Sequence, residues 1–167
     1  ADSIILSVFN NNFTQCGANE DNLYVIDLKI NQAKNNQLLT FDQNVFNGSC
    51  GAISINQQNG HATFTNCQFI NLFHKSINLE KLNDILFEEC KFENCQGIKV
   101  YETINNANIE GCIFSDCNRG SLASVIEVNN TKSTIRNNII KFTSNEATKA
   151  IKGLSVTKHG NILVTHN

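Results

Sequence analysis

The stretch Cys90-Lys-Phe92-Glu-Asn-Cys95 returns as Cys112-Ile-Phe114-Ser-Asp-Cys117, and a shorter copy, Cys67-Gln-Phe69, precedes both. Weaker copies flank them: Asn11-Asn-Phe13-Thr-Gln-Cys16 and Asn44-Val-Phe46 upstream, Ile140-Lys-Phe142-Thr-Ser-Asn145 downstream. The Phe series 13, 46, 69, 92, 114, 142 steps by 33, 23, 23, 22 and 28. The basic period is therefore 22–23 residues, with insertions in two turns. A fixed period of this size marks a repeat architecture.

Other columns keep the same register. Upstream of each Phe lies a short alternating segment: Thr63-Phe64-Thr65, Ile85-Leu86-Phe87, Asn108-Ile109-Glu110, Thr134-Ile135-Arg136. Downstream lies another: Ile53/Ile55, Ile77/Leu79, Ile98/Val100, Ile126/Val128, Leu154/Val156. Asn36, Asn59, Asn83, Asn106 and Asn129 or Asn130 close successive units. Each unit reads as three short strands joined by polar turns, because alternation with period two buries one face of a strand. Runs this short are not helices. Three strands per 22–23 residues match one coil of a parallel β-helix, with coils stacked at ~4.8 Å. The expectation is an all-β β-solenoid of about six to seven coils of 22–33 residues. Phe13, Phe46, Phe69, Phe92, Phe114 and Phe142 then form an interior stack, and Asn59, Asn83 and Asn106 an Asn ladder. The absence of Pro fits strands that all donate to a ladder. A leucine-rich horseshoe has a repeat of similar length, but Leu is not dominant and no repeat carries its L-x-x-L-x-L-x-x-N/C frame.

Composition narrows the function classes. The 167 residues include 28 Asn, 19 Ile and 11 Phe, but no Met or Trp. An excess of Asn, Ile, Lys and Phe is what AT-rich codons give, pointing to a genome such as that of a ciliate or similar protist. With 41% hydrophobic residues, 17% charged residues and a net charge of −2, neither a basic nucleic-acid binder nor a charge-rich disordered tail is expected. No apolar run approaches the ~18 residues of a membrane span. We expect one β-helix segment over 1–167. Ser3-Ile4-Ile5-Leu6 enters mid-pattern and Asn161-Ile-Leu-Val164 begins another coil, with Ile162 set against Ile135. The expectation is an excerpt of a longer chain, with further coils on both sides.

The Phe-x-x-Asn/Cys steps, with Cys50-Gly51-Ala52-Ile53 between them, resemble the repeats of right-handed parallel β-helices. These are the repeats of the pectin-lyase-like superfold and of polymorphic outer-membrane proteins. The resemblance spans about residues 3–167 and implies a right-handed parallel β-helix. It does not choose a function, since that fold carries lyases, hydrolases, adhesins and stalks.

Seven cysteines fall mainly into two columns, 67/90/112 before the Phe and 16/95/117 after it, with Cys50 apart. Neighbouring coils bring equivalent Cα atoms to ~4.8 Å, inside the disulfide window. Cys95–Cys117 is the best pair by register; Cys67–Cys90 or Cys90–Cys112, and Cys16–Cys50, are further candidates. Buried free thiols acting as small core residues and a zinc site are the other readings. Three sequons, at Asn12, Asn47 and Asn129, are candidate N-glycosylation sites and favour an exported chain.

The resemblance directs a search for polysaccharide-cleaving machinery. Calcium-dependent lyases need clustered Asp and an Arg base, yet there are two Arg, Arg119 and Arg136, and six scattered Asp. Lys158-His159-Gly160 only partly echoes a hydrolase motif, and no Asp-Asp pair occurs. Asp116 shares a column with Asn94 and Asn71, which reads as a turn ladder. Glu88, Glu89, Glu93 and Glu110 cluster, with Glu88 and Glu110 one coil apart, either as an acid/base pair or as a solvated face neutralised in part by Lys91. His61, His74, His159 and His166 occupy different columns. We expect no enzyme, cofactor or metal. The expected role is a structural or adhesive segment of an extracellular or cell-surface, filament-forming protein. Its expected partners are other proteins, further copies of itself and glycans. Loops near 21–36 and 118–124 would offer contacts, and seven coils would extend roughly 34 Å. The alternative is a polysaccharide lyase or hydrolase whose active site lies outside this segment. A carbohydrate-binding module would need exposed aromatics, for which Tyr24 and Tyr101 are the only tyrosines.

Overall fold

The structure, a computed structural model, describes residues 5–16, 24–30, 37–48, 51–58, 60–72, 76–103, 105–117, 124–129, 132–141, 152–157 and 162–165. The first coil holds β1 (Ile5–Phe9), β2 (Asn12–Thr14) and β3 (Tyr24–Ile30). The second holds β4 (Gln37–Asp42), β5 (Val45–Asn47) and β6 (Gly51–Gln57). The third holds β7 (Gly60–Thr65), β8 (Gln68–Ile70) and β9 (Ile77–Glu80). The fourth holds β10 (Asp84–Glu88), β11 (Lys91–Glu93) and β12 (Ile98–Tyr101). The fifth holds β13 (Asn106–Glu110), β14 (Ile113–Ser115) and β15 (Ser124–Asn129). The sixth holds β16 (Ser133–Arg136), β17 (Ile139–Lys141) and β18 (Lys152–Thr157), after which β19 (Ile162–Thr165) pairs with β16.

Every third strand is a neighbour. Strands β1, β4, β7, β10, β13, β16 and β19 form a first sheet of seven; the second and third sheets have six each. The pairings are parallel. Parallel neighbours need a long crossover, and here the other two strands of the coil supply it.

Register follows the buried side chains. In the third sheet Ile53, Ile77, Ile98 and Ile126 align, as do Ile55, Leu79, Val100 and Val128. In the second sheet Phe13, Phe46, Phe69, Phe92 and Phe114 stack with successive ring centroids 4.7–5.3 Å apart. A second stack, Phe41–Phe64–Phe87, runs inside the first sheet with spacings of 4.9 and 4.5 Å. Phe87 meets Phe92 edge-on at 6.3 Å, joining the two. Each aromatic contact is worth roughly 0.5–1.5 kcal/mol beyond the area it buries.

Four expectations are corrected. Ile140, not Phe142, continues the aromatic column beyond Phe114; Phe142 lies outside the described residues. Leu86 pairs with Thr63 and Phe87 with Phe64, one position from the sequence alignment. Three consecutive apolar residues, Ile85, Leu86 and Phe87, hide the period-two phase there. Val164, not Ile162, pairs with Ile135. Finally, the 21–36 insertion contains strand β3, whose Ile26 and Leu28 pair with Ile53 and Ile55.

The corners differ in kind. The first, from first to second sheet, has two residues in every coil: 10–11, 43–44, 66–67, 89–90, 111–112 and 137–138. The second takes three to ten residues and the third two to six. At the first corner Asn10, Gln43, Asn66, Glu89, Gly111 and Asn137 all have φ between 52° and 63°. One left-handed residue reverses the pleat and turns the chain, a conformation Asn tolerates best after Gly. The second corner begins the same way at Gln15, Gly48, Asn71, Asn94 and Asp116.

Candidate functional site

The first corner carries a continuous hydrogen-bonded ladder. Its left-handed residues donate their amides to the coil on one side, as in Asn66 N to Glu88 O at 3.1 Å and Glu89 N to Glu110 O at 3.1 Å. The amide two positions on donates to the coil on the other side, as in Gln68 N to Asn44 O and Lys91 N to Cys67 O, both 2.8 Å. Between these amides one side chain per coil points inward: Asn44, Cys67, Cys90, Cys112 and Asn138 are all buried. The Asn44 amide donates to Val8 O at 2.7 Å and its Oδ1 accepts from Asn11 N at 3.0 Å. Asn138 repeats this toward the other end, donating to Ile109 O and accepting from Cys112 N, both at 2.9 Å. Cys67 and Cys90 donate their thiols to the equivalent carbonyls, Phe41 O and Phe64 O, at 3.4 Å. Thiol and amide thus perform the same task of satisfying a buried carbonyl.

The Asn ladder expected at Asn59, Asn83 and Asn106 is displaced. Asn106 pairs with Asp84, while Asn83 lies between Gly60 and Asn105; Asn59 lies outside the described residues. A side-chain amide ladder instead runs along the second corner, Asn94 to Asn71 at 2.7 Å and Asn71 to Asn47 at 3.3 Å. Asp116 extends the same left-handed column, as its place in the repeat implies.

The six described cysteines are thiols. Cys95 and Cys117 sit just past the second corner's left-handed residue in adjacent coils, with sulfurs 3.7 Å apart. Cys16 stands in the same column, half-buried, with its thiol on Thr14 O; its suggested partner Cys50 lies outside the described residues. A hydrogen bond from Cys90 lowers the Cys67 thiol below the usual range, while Cys112, Cys67 and burial push Cys90 far up. Of the sequons, Asn12 is exposed, its Oδ1 accepting from Thr14 Oγ1 at 2.7 Å. Asn47 is engaged in the amide ladder and Asn129 is half-buried.

The outer faces pair most of their charges internally. Glu88 and Glu110 are one coil apart, as expected, but Arg136 takes Glu110 at 2.7 Å. Lys91 takes Glu93 at 2.6 Å. Around the Arg136–Glu110 pair Asn106, Asn108, Glu110, Thr134 and Arg136 line a half-open groove of about 300 Å³ on the first sheet. His61 Nδ1 lies 2.8 Å from Asp84 on the same face. His74, His159, His166 and Arg119 are outside the described residues. On the third sheet Lys99 and the Tyr101 hydroxyl both reach Glu127, at 3.3 and 3.1 Å. Burial, and then the Glu127 charge, push the Tyr101 phenol up to about 12; burial and Asp27 raise Tyr24 as well. Among the described residues no three His, Cys, Asp or Glu side chains converge as metal ligands. No helix there is long and apolar enough to cross a membrane.

Three parallel sheets wound from one repeating coil define a β-solenoid. Residues 2–167 match the family described as the right handed beta helix region, and the chain belongs to that family. Neither a curated protein nor a solved structure matches it. Family membership carries the fold and assigns no reaction.

Proposed function

We propose that this chain is a non-catalytic structural or adhesive segment of an extracellular or cell-surface protein, able to take part in filaments. The observation that carries this reading is the unbroken inter-coil ladder at the first corner, backed by two aromatic stacks. Coils tied together by backbone bonds, ring stacking and buried side-chain donors make a stiff spacer. The outer carboxylates of Glu80, Glu93, Glu110 and Glu127 each hold a cation of the chain itself, which supports reading them as a solvated face. The exposed sequon at Asn12 suits a glycan carried outside the cell. Other proteins, further copies and glycans are the proposed contacts.

Antibody labelling of intact cells that make the protein tests this reading. Signal without permeabilisation is the expected result, together with no cleavage of acidic polysaccharides by the purified chain. Signal confined to permeabilised cells, or cleavage abolished by Glu110→Gln, would contradict it.

A further inference from the structure

We propose that Cys95 and Cys117 close into a disulfide between the fourth and fifth coils, while Cys67, Cys90 and Cys112 remain thiols. The two columns look alike in sequence but have different surroundings. At the first corner the neighbouring coils place Asn44 and Asn138 where the three cysteines stand, and both amides donate to a backbone carbonyl. Cys67 and Cys90 do the same with their thiols. Cys112 donates to Glu110 O of its own coil, but any disulfide between adjacent coils of this column uses Cys67 or Cys90, and a disulfide lacks the hydrogen that each gives to the neighbouring carbonyl. In the other column the coil before Cys95 carries Leu72, 3% exposed, directly after its left-handed Asn71. Cys117 also donates its thiol, to Phe92 O at 3.5 Å, but Leu72 fills the same position with no donor at all, so this column tolerates the loss of that hydrogen as a disulfide requires.

The geometry is prepared for closure. The sulfurs are 3.7 Å apart, and both residues are buried, 2% and 1% exposed. Strands β11 and β14 before them and β12 and β15 after them are paired with partners in adjacent coils. Asn94 N to Ser115 O at 2.9 Å fixes the corner itself. In-register backbones ~4.8 Å apart fall within the Cα range of disulfides. Rotation about the side chains then brings the sulfurs to about 2.05 Å.

The oxidant is a small disulfide such as oxidised glutathione, or the disulfide of an oxidoreductase. Burial opposes ionisation of Cys95, but hydrogen bonds from Cys117 and Ser76 outweigh it and hold the thiol low. The bond to Cys95, together with burial, holds Cys117 high. Either thiol, ionised while the coils are still assembling, can be the first nucleophile, and Cys95 serves in one of the two equivalent orders. In that order its thiolate attacks one sulfur of the oxidant, forming a mixed disulfide and releasing one thiolate, which takes up the proton Cys95 lost. Cys117 then loses its proton and attacks the Cys95 sulfur, releasing the second thiol. Two protein thiols and one disulfide become one protein disulfide and two small thiols. The burial of both sulfurs makes closure a step of folding rather than of the finished fold.

The inference stands apart from the scaffold reading, which holds with the pair open or closed. The test is to refold the chain in a glutathione redox buffer, block remaining thiols with iodoacetamide in denaturant, and map the peptides. The expected result is a linked Cys95–Cys117 peptide at least tenfold above any linkage involving Cys67, Cys90 or Cys112, which are alkylated. The melting temperature should rise by about 5–10 °C over the reduced chain, and the rise should vanish in Cys95→Leu, which copies Leu72. Full alkylation of Cys95 and Cys117, or a linkage through Cys90, overturns the proposal. The wild-type peptide map decides this even where a variant fails to fold.

Discussion

The first and second corners of the coil start with the same left-handed residue and then diverge. The first is two residues long in all six coils, and its amides bond to the coils on either side. The second stretches from three to ten residues. The side chain next after the left-handed residue makes the difference. At four of the first corners a buried Asn or Cys, Asn44, Cys67, Cys90 or Asn138, reaches the neighbouring coil's carbonyl, so an added residue would move the donor off its acceptor. At the second corner the equivalent position accepts Leu72 as well as Cys95, so no donor has to be kept on an acceptor. The solenoid therefore keeps one hinge line constant and admits variation elsewhere.

The largest expected effect comes from insertion. Adding Gly-Ser between Glu89 and Cys90 should cost about 4 kcal/mol or more and abolish the cooperative transition. The same dipeptide between Gly120 and Ser121 should cost under ~1 kcal/mol. Urea unfolding of both variants checks this, and equal losses would erase the contrast.

Gly97 is where the second corner becomes strict. Its φ is +76°, and a Cβ there would overlap the carbonyl oxygen of Val125 in the next coil. Gly97→Ala should lose about 3 kcal/mol or more, since both the conformation and the contact oppose it. A loss below ~1 kcal/mol would show that this corner yields even at its tightest point.

Substitution at Asn44 probes the first corner's side chain. Asn44→Ala removes the donor to Val8 O and the acceptor of Asn11 N, and should cost about 2–3 kcal/mol. Asn44→Cys should recover part of that loss, because Cys67 and Cys90 perform the donation in their own coils. Thermal unfolding compares the two; an Asn44→Cys no better than Asn44→Ala would break the equivalence of amide and thiol. The smallest effect belongs to Glu89, whose φ is 53°. Glu89→Asn should gain roughly 0.5 kcal/mol by relieving the left-handed conformation, seen as a small upward shift of the urea midpoint.

The fold is legible in the sequence through the columns that the constant corner protects. Phe46, Phe69, Phe92 and Phe114 each come after a two-residue turn at a fixed distance, so their spacing survives counting. The third-sheet pairs are legible for a related reason: single polar residues separate Ile98 from Val100 and Ile126 from Val128, which keeps the phase. Phe41, Phe64 and Phe87 keep the same 23-residue step, but the stack is masked where Ile85, Leu86 and Phe87 form one apolar run in which only Ile85 and Phe87 face inward. The thiol–amide column is present in the repeat itself. Two positions before each aromatic stand Asn11, Asn44, Cys67, Cys90 and Cys112, and Asn138 precedes Ile140 in the same way. Sorting by residue type conceals it, since Asn suggests turns and Cys suggests disulfides. The Lys91–Glu93 pair lies within one strand and is legible, whereas Lys99–Glu127 and Arg136–Glu110 cross coils and depend on side-chain reach rather than on spacing.

Hydrogen–deuterium exchange of the native chain tests the inter-coil ladder most directly. The amides of Gln43, Val45, Asn66, Gln68, Glu89 and Lys91, all bonded to a neighbouring coil, should exchange only with global unfolding, together with strands β7 and β10. Exchange of these six at the rate of unbonded, solvent-exposed amides would contradict the account.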